Sequence, residues 1–308
     1  MWQKLKKFGC YLIIIVLLPY VITVFIHGAD MEVSSHVDET YVTVKLEDGT
    51  ALETPIEDYC IGIMAKEIPA DYEKEALKAQ AVLVRTDIYR KIEKEGSRAV
   101  FDTSFWTREQ MEEAWGAAGR ARYYNKLKSA WQSTEGEILM YDGAPAKTPF
   151  FRLSNGSTRD AQKVLGKKYP YLQTVDCPKD IEAVEQIQTV TLSDLEAEVA
   201  ECDETGYVLK VKAGDETVSG EEFRKNYHLA SSCFTIQKYN GKLRITTRGI
   251  GHGVGMSQYT ANAMAKEGKT YDVILEYFFE GTNLQEVTDI VREEEEGTEE
   301  KQTDGDKK

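Results

Sequence analysis

From Phe8 to Ala29 the chain carries no charged residue. At about 1.5 Å of rise per residue, these 22 positions make a helix long enough for the roughly 30 Å hydrocarbon layer of a bilayer. Pro19 lies mid-span, where a transmembrane helix tolerates it. Lys4, Lys6 and Lys7 precede the stretch, and Asp30 and Glu32 follow it. That bias predicts an N-terminus inside the cell and everything beyond residue 30 outside. The exit, Ile26-His-Gly-Ala-Asp30, lacks the small-x-small pattern that signal peptidases prefer. Cys10 comes too early for a lipoprotein site. The segment is therefore read as an uncleaved single-pass anchor in a bacterial cell membrane, with the lipid bilayer as partner of residues 8–29. The expected organisation is a tip and anchor over 1–29, a polar linker over 30–40, one domain over 41–291 and a charged tail over 292–308.

The rest of the chain has the makings of a core. Of 308 residues 42% are apolar, with seventeen tyrosines, enough for one large domain. The formal charge is -14, and nucleic-acid binding asks for a basic surface, so that partner is excluded. The tail from Glu293 is rich in charge and reads as disordered. Five cysteines stand at positions 10, 60, 177, 202 and 233. None forms a C-x-x-C pair or has a histidine at ligand spacing, which argues against zinc. Cys60, Cys177, Cys202 and Cys233 are read as buried thiols.

The domain reads as α+β, a large mixed helix/strand unit with a groove. Tyr41 to Ile56 alternates apolar and polar residues about Asp48-Gly49, which predicts a hairpin with a type I′ turn. A short helix over 56–66 ends at Ile68-Pro69. A long helix over 73–94 follows, with Leu77, Ala81, Val84, Ile88 and Ile92 along one face. Helices are expected over 108–118 and 125–133, and strands over 137–143 and 148–154. Strands beginning at Ile187, Tyr207, Phe234 and Leu243 mark a second texture. Ser219 opens a short helix, and helices follow a glycine-rich loop and cover 271–279.

Three segments hold residues suited to chemistry. Glu67 lies at the end of the first helix among Ile63, Met64 and Ile68, and apolar surroundings raise a carboxyl pKa toward that of a general acid. Gln80, Arg85 and Thr86 on the long helix either hydrogen-bond a sugar, orient Glu67 or form ordinary structural contacts. Gly249-Ile-Gly251-His252-Gly253-Val-Gly255-Met256-Ser257-Gln258 has four glycines in seven residues, so the backbone approaches something closely. It then opens a helix whose first amides can bind oxygen atoms. The spacing is neither a dinucleotide fingerprint nor a P-loop. Ser154-Asn155-Gly156-Ser157 is a polar turn after a strand, without a G-x-S-x-G elbow.

Taken together, these pieces resemble the stage II sporulation protein D family, which includes the amidase enhancers. The resemblance rests on Glu67-Ile-Pro-Ala70, Glu75-Ala-Leu-Lys-Ala-Gln80-Ala-Val-Leu-Val-Arg85-Thr86, Ser154-Asn155-Gly156, Lys168 to Val175, and Gly251 to Gly268. It runs in family order from about Tyr41 to Asn283. It implies a lytic transglycosylase that cuts peptide-stripped peptidoglycan glycan strands during engulfment, with Glu67 as catalytic acid. Gln80, Arg85, Thr86, Ser154, Asn155, Gly156, His252, Gly253, Gly255, Met256, Ser257 and Gln258 would bind substrate. A partner amidase and other engulfment membrane proteins are implied as partners. The alternative is a non-catalytic peptidoglycan-binding module that stimulates an amidase. Some relatives bind zinc through Cys and His after the long helix; here Phe101 to Trp115 contains neither, so no metal and no cofactor are expected.

Overall fold

A computed structural model describes residues 41–287, apart from 47, 97, 98, 166–168 and 194. The expected anchor, linker and tail lie outside the described residues. Among those described, no helix is long and apolar enough to cross a membrane.

The observed fold is a mixture of helices and small sheets. Strands β1 (Tyr41–Lys45) and β2 (Ala51–Pro55) form the expected antiparallel hairpin. Its turn is not type I′, which needs positive φ at both central residues. Five residues separate the paired ends, Leu46 N–H donates to Thr50 O, and Gly49 has φ 86 while Asp48 does not enter the left-handed region. Helix α1 (Ile56–Glu67) stops where Pro69 forces Ile68 to an extended φ of -120. Helix α2 (Lys74–Glu95) ends at Gly96, with φ 81.

Helix α2 runs through the middle of the molecule. Leu77, Ala81, Val84 and Ile88 face one core with α1, β1 and the two-residue strand β3 (Val100–Phe101). On the other side, Ala76, Ala79, Val82 and Leu83 face a second core. The single apolar stripe seen in the sequence is therefore half of what is buried. Helix α3 (Arg108–Gln132) replaces the two separate helices expected, and is broken internally at Gly116, whose φ is 70 and ψ 164. Thr107 caps it with a reciprocal box to Gln110.

Strand β4 (Glu137–Tyr141) pairs with β5 (Ala144–Pro145). The strand expected over 148–154 shrinks to β6 (Phe150–Phe151) plus a bridge from Leu153 to Ile250. Pro149 supplies no N–H, and the partner on that side is the glycine loop, which gives only brief pairing. After helix α4 (Ala161–Leu165), two 3₁₀ turns span 178–186. Strands β7 (Ile187–Leu192), β8 (Ala197–Cys202), β9 (Val208–Ala213) and β10 (Glu216–Ser219) precede helix α5 (Gly220–Asn226), capped by Ser219. With β11 (Phe234–Tyr239) and β12 (Lys242–Arg248) they form two three-stranded sheets, ordered β10-β9-β8 and β11-β12-β7. These enclose a third core around Phe223, Phe234, Leu243 and Ile245.

The loop after β12 leads through β13 (Met256–Ser257) into helices α6 (Gln258–Lys266) and α7 (Tyr271–Phe278). Strand β14 (Asn283–Glu286), which the sequence reading missed, closes the chain against β4. Glu75 fixes α7, accepting from Tyr271 N–H at 3.0 Å. Cys60, Cys177 and Cys233 are buried, whereas Cys202, expected inside, is exposed at the end of its strand.

Candidate active site

Glu67 is the last residue of α1, and its side chain is exposed. Ile68 beside it is buried, and so are Ile63, Met64 and Ala65 in the turn before it. Loss of hydration among these neighbours raises the Glu67 pKa from its ordinary 4.5, against the opposing pull of Lys66. The unpaired carbonyls at a helix C-terminus also disfavour an anion there. No hydrogen bond or ion pair to the carboxyl exists among the described residues. Lys66 is held instead by Ser104 Oγ.

The glycine loop packs against protein, not open space. A Cβ at Gly249 would lie 2.5 Å from Leu153 O, and one at Gly251 2.7 Å from Phe151 Cβ. At Gly253 it would meet the Tyr207 ring at 2.5 Å, and at Gly255 Pro149 O at 2.0 Å. All four have positive φ, so only glycine threads this path. Two of the amides expected to greet a ligand at the start of α6 are taken. Tyr259 N donates to Arg152 O at 3.2 Å, and Thr260 N to Ser257 Oγ at 3.4 Å.

Several residues expected to bind substrate are interior. Arg85 is 3% exposed. Its Nη1 donates to Thr134 O at 2.6 Å, Thr134 Oγ1 at 3.3 Å and Glu137 O at 3.2 Å, and Nη2 to Trp131 O at 2.9 Å. The guanidinium also sits 3.8 Å from the Trp131 ring centre. Thr86 Oγ1 donates to Val82 O and accepts from Leu139 N. Gln80 accepts from Gln258 Nε2 at 3.1 Å, with both side chains buried. Thus Arg85 and Thr86 lock α2 to β4 and the end of α3, and the Gln80–Gln258 pair locks α2 to α6. None of the four offers a surface to a ligand.

Ser154 and Ser257 do come together, but on a residue the sequence reading missed. Asp180 Oδ2 accepts from Ser154 N and Ser257 Oγ, both at 2.7 Å, and Oδ1 accepts from Thr260 Oγ1 at 2.6 Å. Asp180 is fully buried, and burial raises its pKa while the three hydrogen bonds oppose the rise. Pro178 at the first position of its 3₁₀ turn is the one local sign of it. Asn155 Nδ2 bonds Thr205 O at 2.6 Å and Cys233 Sγ at 3.2 Å. Gly156, at φ 119, passes close to Ile181.

His252 Nδ1 accepts from Val254 N at 3.1 Å. The residue is partly buried, with its ring against Phe151. Burial, with Arg224, Arg159 and Lys147 nearby, lowers its pKa to about 4. It is therefore neutral at pH 7 and keeps the lone pair that Val254 needs. Arg159, also missed, is 1% exposed and bonds Asp203 at 2.8 Å, Glu221 at 2.9 Å and His252 O at 3.2 Å. Met256 is buried in the second core.

The Glu67 turn and the glycine-loop helix are joined directly. Glu73 N–H donates to Asn262 Oδ1 on α6 at 2.8 Å. The Arg152 guanidinium stacks 5.1 Å from the ring centre of Tyr72, and its carbonyl holds Tyr259. Among the described residues, no three His, Cys, Asp or Glu side chains converge as a metal site.

The family model for the stage II sporulation protein matches residues 48–141, which include Glu67 and all of α2. Over 257 residues the chain is 34% identical to stage II sporulation protein D of Bacillus subtilis (strain 168), covering 75% of each chain. The chain belongs to the stage II sporulation protein D family. The corresponding protein of Bacillus amyloliquefaciens is 33% identical over the same length, covering 75% of this chain and 74% of the relative. A more distant relative is the Bacillus subtilis amidase enhancer, 26% identical over 292 residues, covering 72% of this chain and 40% of that protein. As a sporulation family member, the chain joins all its resembling segments in one body: Glu67 and α2 on one side, the glycine loop and α6 on the other.

Proposed function

We propose that this chain is a membrane-anchored lytic transglycosylase that cleaves peptide-stripped peptidoglycan strands to 1,6-anhydromuramic ends during engulfment. One observation carries the reading: Glu67 is an exposed carboxyl at a helix end, unbonded among the described residues, with its pKa raised by lost hydration. Hydrolysis through water or a glycosyl-enzyme needs two carboxylates. Intramolecular transfer needs one group that gives and then takes a proton. Glu67 protonates the bridging oxygen as the C1–O bond breaks. The muramic C6 hydroxyl then closes on C1, and its proton returns to the Glu67 carboxylate. Anchoring through residues 8–29 would set the domain outside the cell, beside its substrate, a partner amidase and the other engulfment membrane proteins.

The test uses the full chain in detergent and its Glu67→Gln variant on amidase-treated glycan strands, with products read by mass spectrometry. Anhydro ends from the wild type and none from the variant are expected. Reducing ends would refute the transglycosylase step. Likeness to the amidase enhancer favours a second reading, a module that binds glycan and stimulates an amidase. No cleavage by either protein, with glycan binding intact and amidase accelerated, would support that reading instead.

A further inference from the structure

The geometry points to an aromatic glycan platform beside Glu67, formed by Trp106, Trp115 and Tyr123. It rests on the reading of Glu67 as the acid that cuts glycan, and names where the strand lies on one side of the scissile bond. Trp106 and Trp115 pack edge to face with centroids 5.6 Å apart, and Trp115 and Tyr123 likewise at 5.3 Å. The three rings border the first core, yet each keeps part of its surface in solvent. Flat rings of this kind stack on the C–H faces of pyranoses, which makes a neutral N-acetylated hexosamine chain the fitting occupant.

Trp106 is tied to the helix that carries Glu67, and the other two rings follow from it through their packing. Trp106 N–H donates to Gly62 O at 3.0 Å, and Ser104 holds Lys66, the residue before the acid. Gly62 makes this approach possible, because a Cβ there would lie 2.7 Å from Trp106 O and 2.8 Å from Phe105 Cδ2. From Gly62 to Glu67 is about 7.5 Å of helix, within reach of one sugar chain. Helix α3 breaks at Gly116, directly after Trp115. Nothing lies within 4 Å of a Cβ there, so this glycine serves the backbone turn and not a close contact. At Gly119 a Cβ would press on Trp115 Cβ at 3.1 Å. Two features of α3, a break and a missing side chain, thus accommodate Trp115 in its packing against Trp106.

The test reads the rings directly. Full-length Glu67→Gln protein in detergent is treated with N-bromosuccinimide, with and without saturating peptide-free glycan strands, and oxidation of each tryptophan is mapped by mass spectrometry. Glycan should protect Trp106 and Trp115, while Trp131, buried under Arg85, stays unreactive in both samples. Equal oxidation of Trp106 and Trp115 with and without glycan would overturn the platform, whatever any substitution does to folding. Trp115→Leu should weaken glycan binding about tenfold, the scale of one lost stacking contact, while Trp115→Tyr retains most of it. Undiminished affinity in a folded Trp115→Leu protein would also overturn it. Absence of cleavage by the wild type with protection intact would remove the catalytic reading and leave the platform standing. Cleavage without protection would do the reverse.

Discussion

Replacing Arg85 by leucine separates a structural role from a substrate-binding one. The guanidinium makes four hydrogen bonds, three of them to backbone carbonyls at the α3–β4 junction. Bonds from a charged donor contribute about 1.5 kcal/mol each at the low end, so their loss costs about 6 kcal/mol. Loss of the Trp131 face adds about 1 kcal/mol. Against this stands relief of desolvation. Burial lowers the Arg85 pKa from 12.5 to about 10, which is about 3 kcal/mol of strain removed with the charge. The net expectation is a loss of about 3–4 kcal/mol, or roughly 6–16 °C in Tm for a domain of this size. Arg85→Lys keeps the charge but lacks the fork, and should fall between wild type and leucine. The assay is thermal unfolding of the full chain in detergent, paired with KM on peptide-free strands below the transition. A Tm within about 2 °C of wild type, together with a large rise in KM, would refute the reasoning and return Arg85 to the substrate.

Further outcomes follow from the same geometry. The kcat/KM profile should fall as pH rises through the Glu67 pKa, because the acid form starts the reaction. That limb should lie above the ordinary glutamate value of 4.5, and a descending limb at or below that value would contradict the assignment. Gly255→Ala drives a Cβ into Pro149 O at 2.0 Å with φ 78, and should cost more than about 3 kcal/mol, read as a Tm drop. A soluble, wild-type-stable alanine variant would show that the loop relaxes freely. His252 has a folded pKa of about 4 against 6.5. The unfolded chain therefore binds a proton first as pH falls. Stability from this group is complete above 6.5 and is lost between 6.5 and 4, by up to about 3 kcal/mol. His252→Asn should flatten the Tm against pH curve over that window, and an unchanged slope would count against a buried neutral imidazole.

How much could be read beforehand depended on how local the cause was. The ends of α1 and α2 were legible because Pro69 and Gly96 act on their own neighbours. So were β7, β9, β11 and β12, whose alternation is local, whereas β8 (Ala197–Cys202) and β10 (Glu216–Ser219) were missed. The type I′ turn failed because Asp48-Gly49 also suits a longer loop. The separate helices expected over 108–118 and 125–133 failed because the helix continues through 119–124 and its break falls earlier, at Gly116. The interior was hidden for a different reason. Gln80, Arg85 and Thr86 are polar, and a polar residue beside an apolar stripe reads as surface. What holds them inside is a set of carbonyls over residues 131–137 for Arg85, the Val82 carbonyl and Leu139 amide for Thr86, and the Gln258 side-chain amide for Gln80, partners that the stripe does not encode. Asp180 was invisible because its three partners come from two segments far from it in sequence, Ser154 on one side and Ser257 with Thr260 on the other.

This sorting bears on the chemistry. Segments that together identify the family contain many polar residues, and most of them turn out to be bonded to one another. Gln80 meets Gln258, Ser154 and Ser257 meet Asp180, and His252 is tied to Val254 and Arg159. Each such bond holds α2, the glycine loop and α6 in one frame. Of the polar side chains the sequence singled out, Glu67 alone is exposed with its carboxyl unbonded among the described residues. A frame fastened that thoroughly behind one free carboxyl suits a reaction that needs a single proton-transferring group held at a fixed place. On the proposed function, substrate contacts come from what is still open around α1, where the half-buried rings of Trp106, Trp115 and Tyr123 keep part of their surface in solvent.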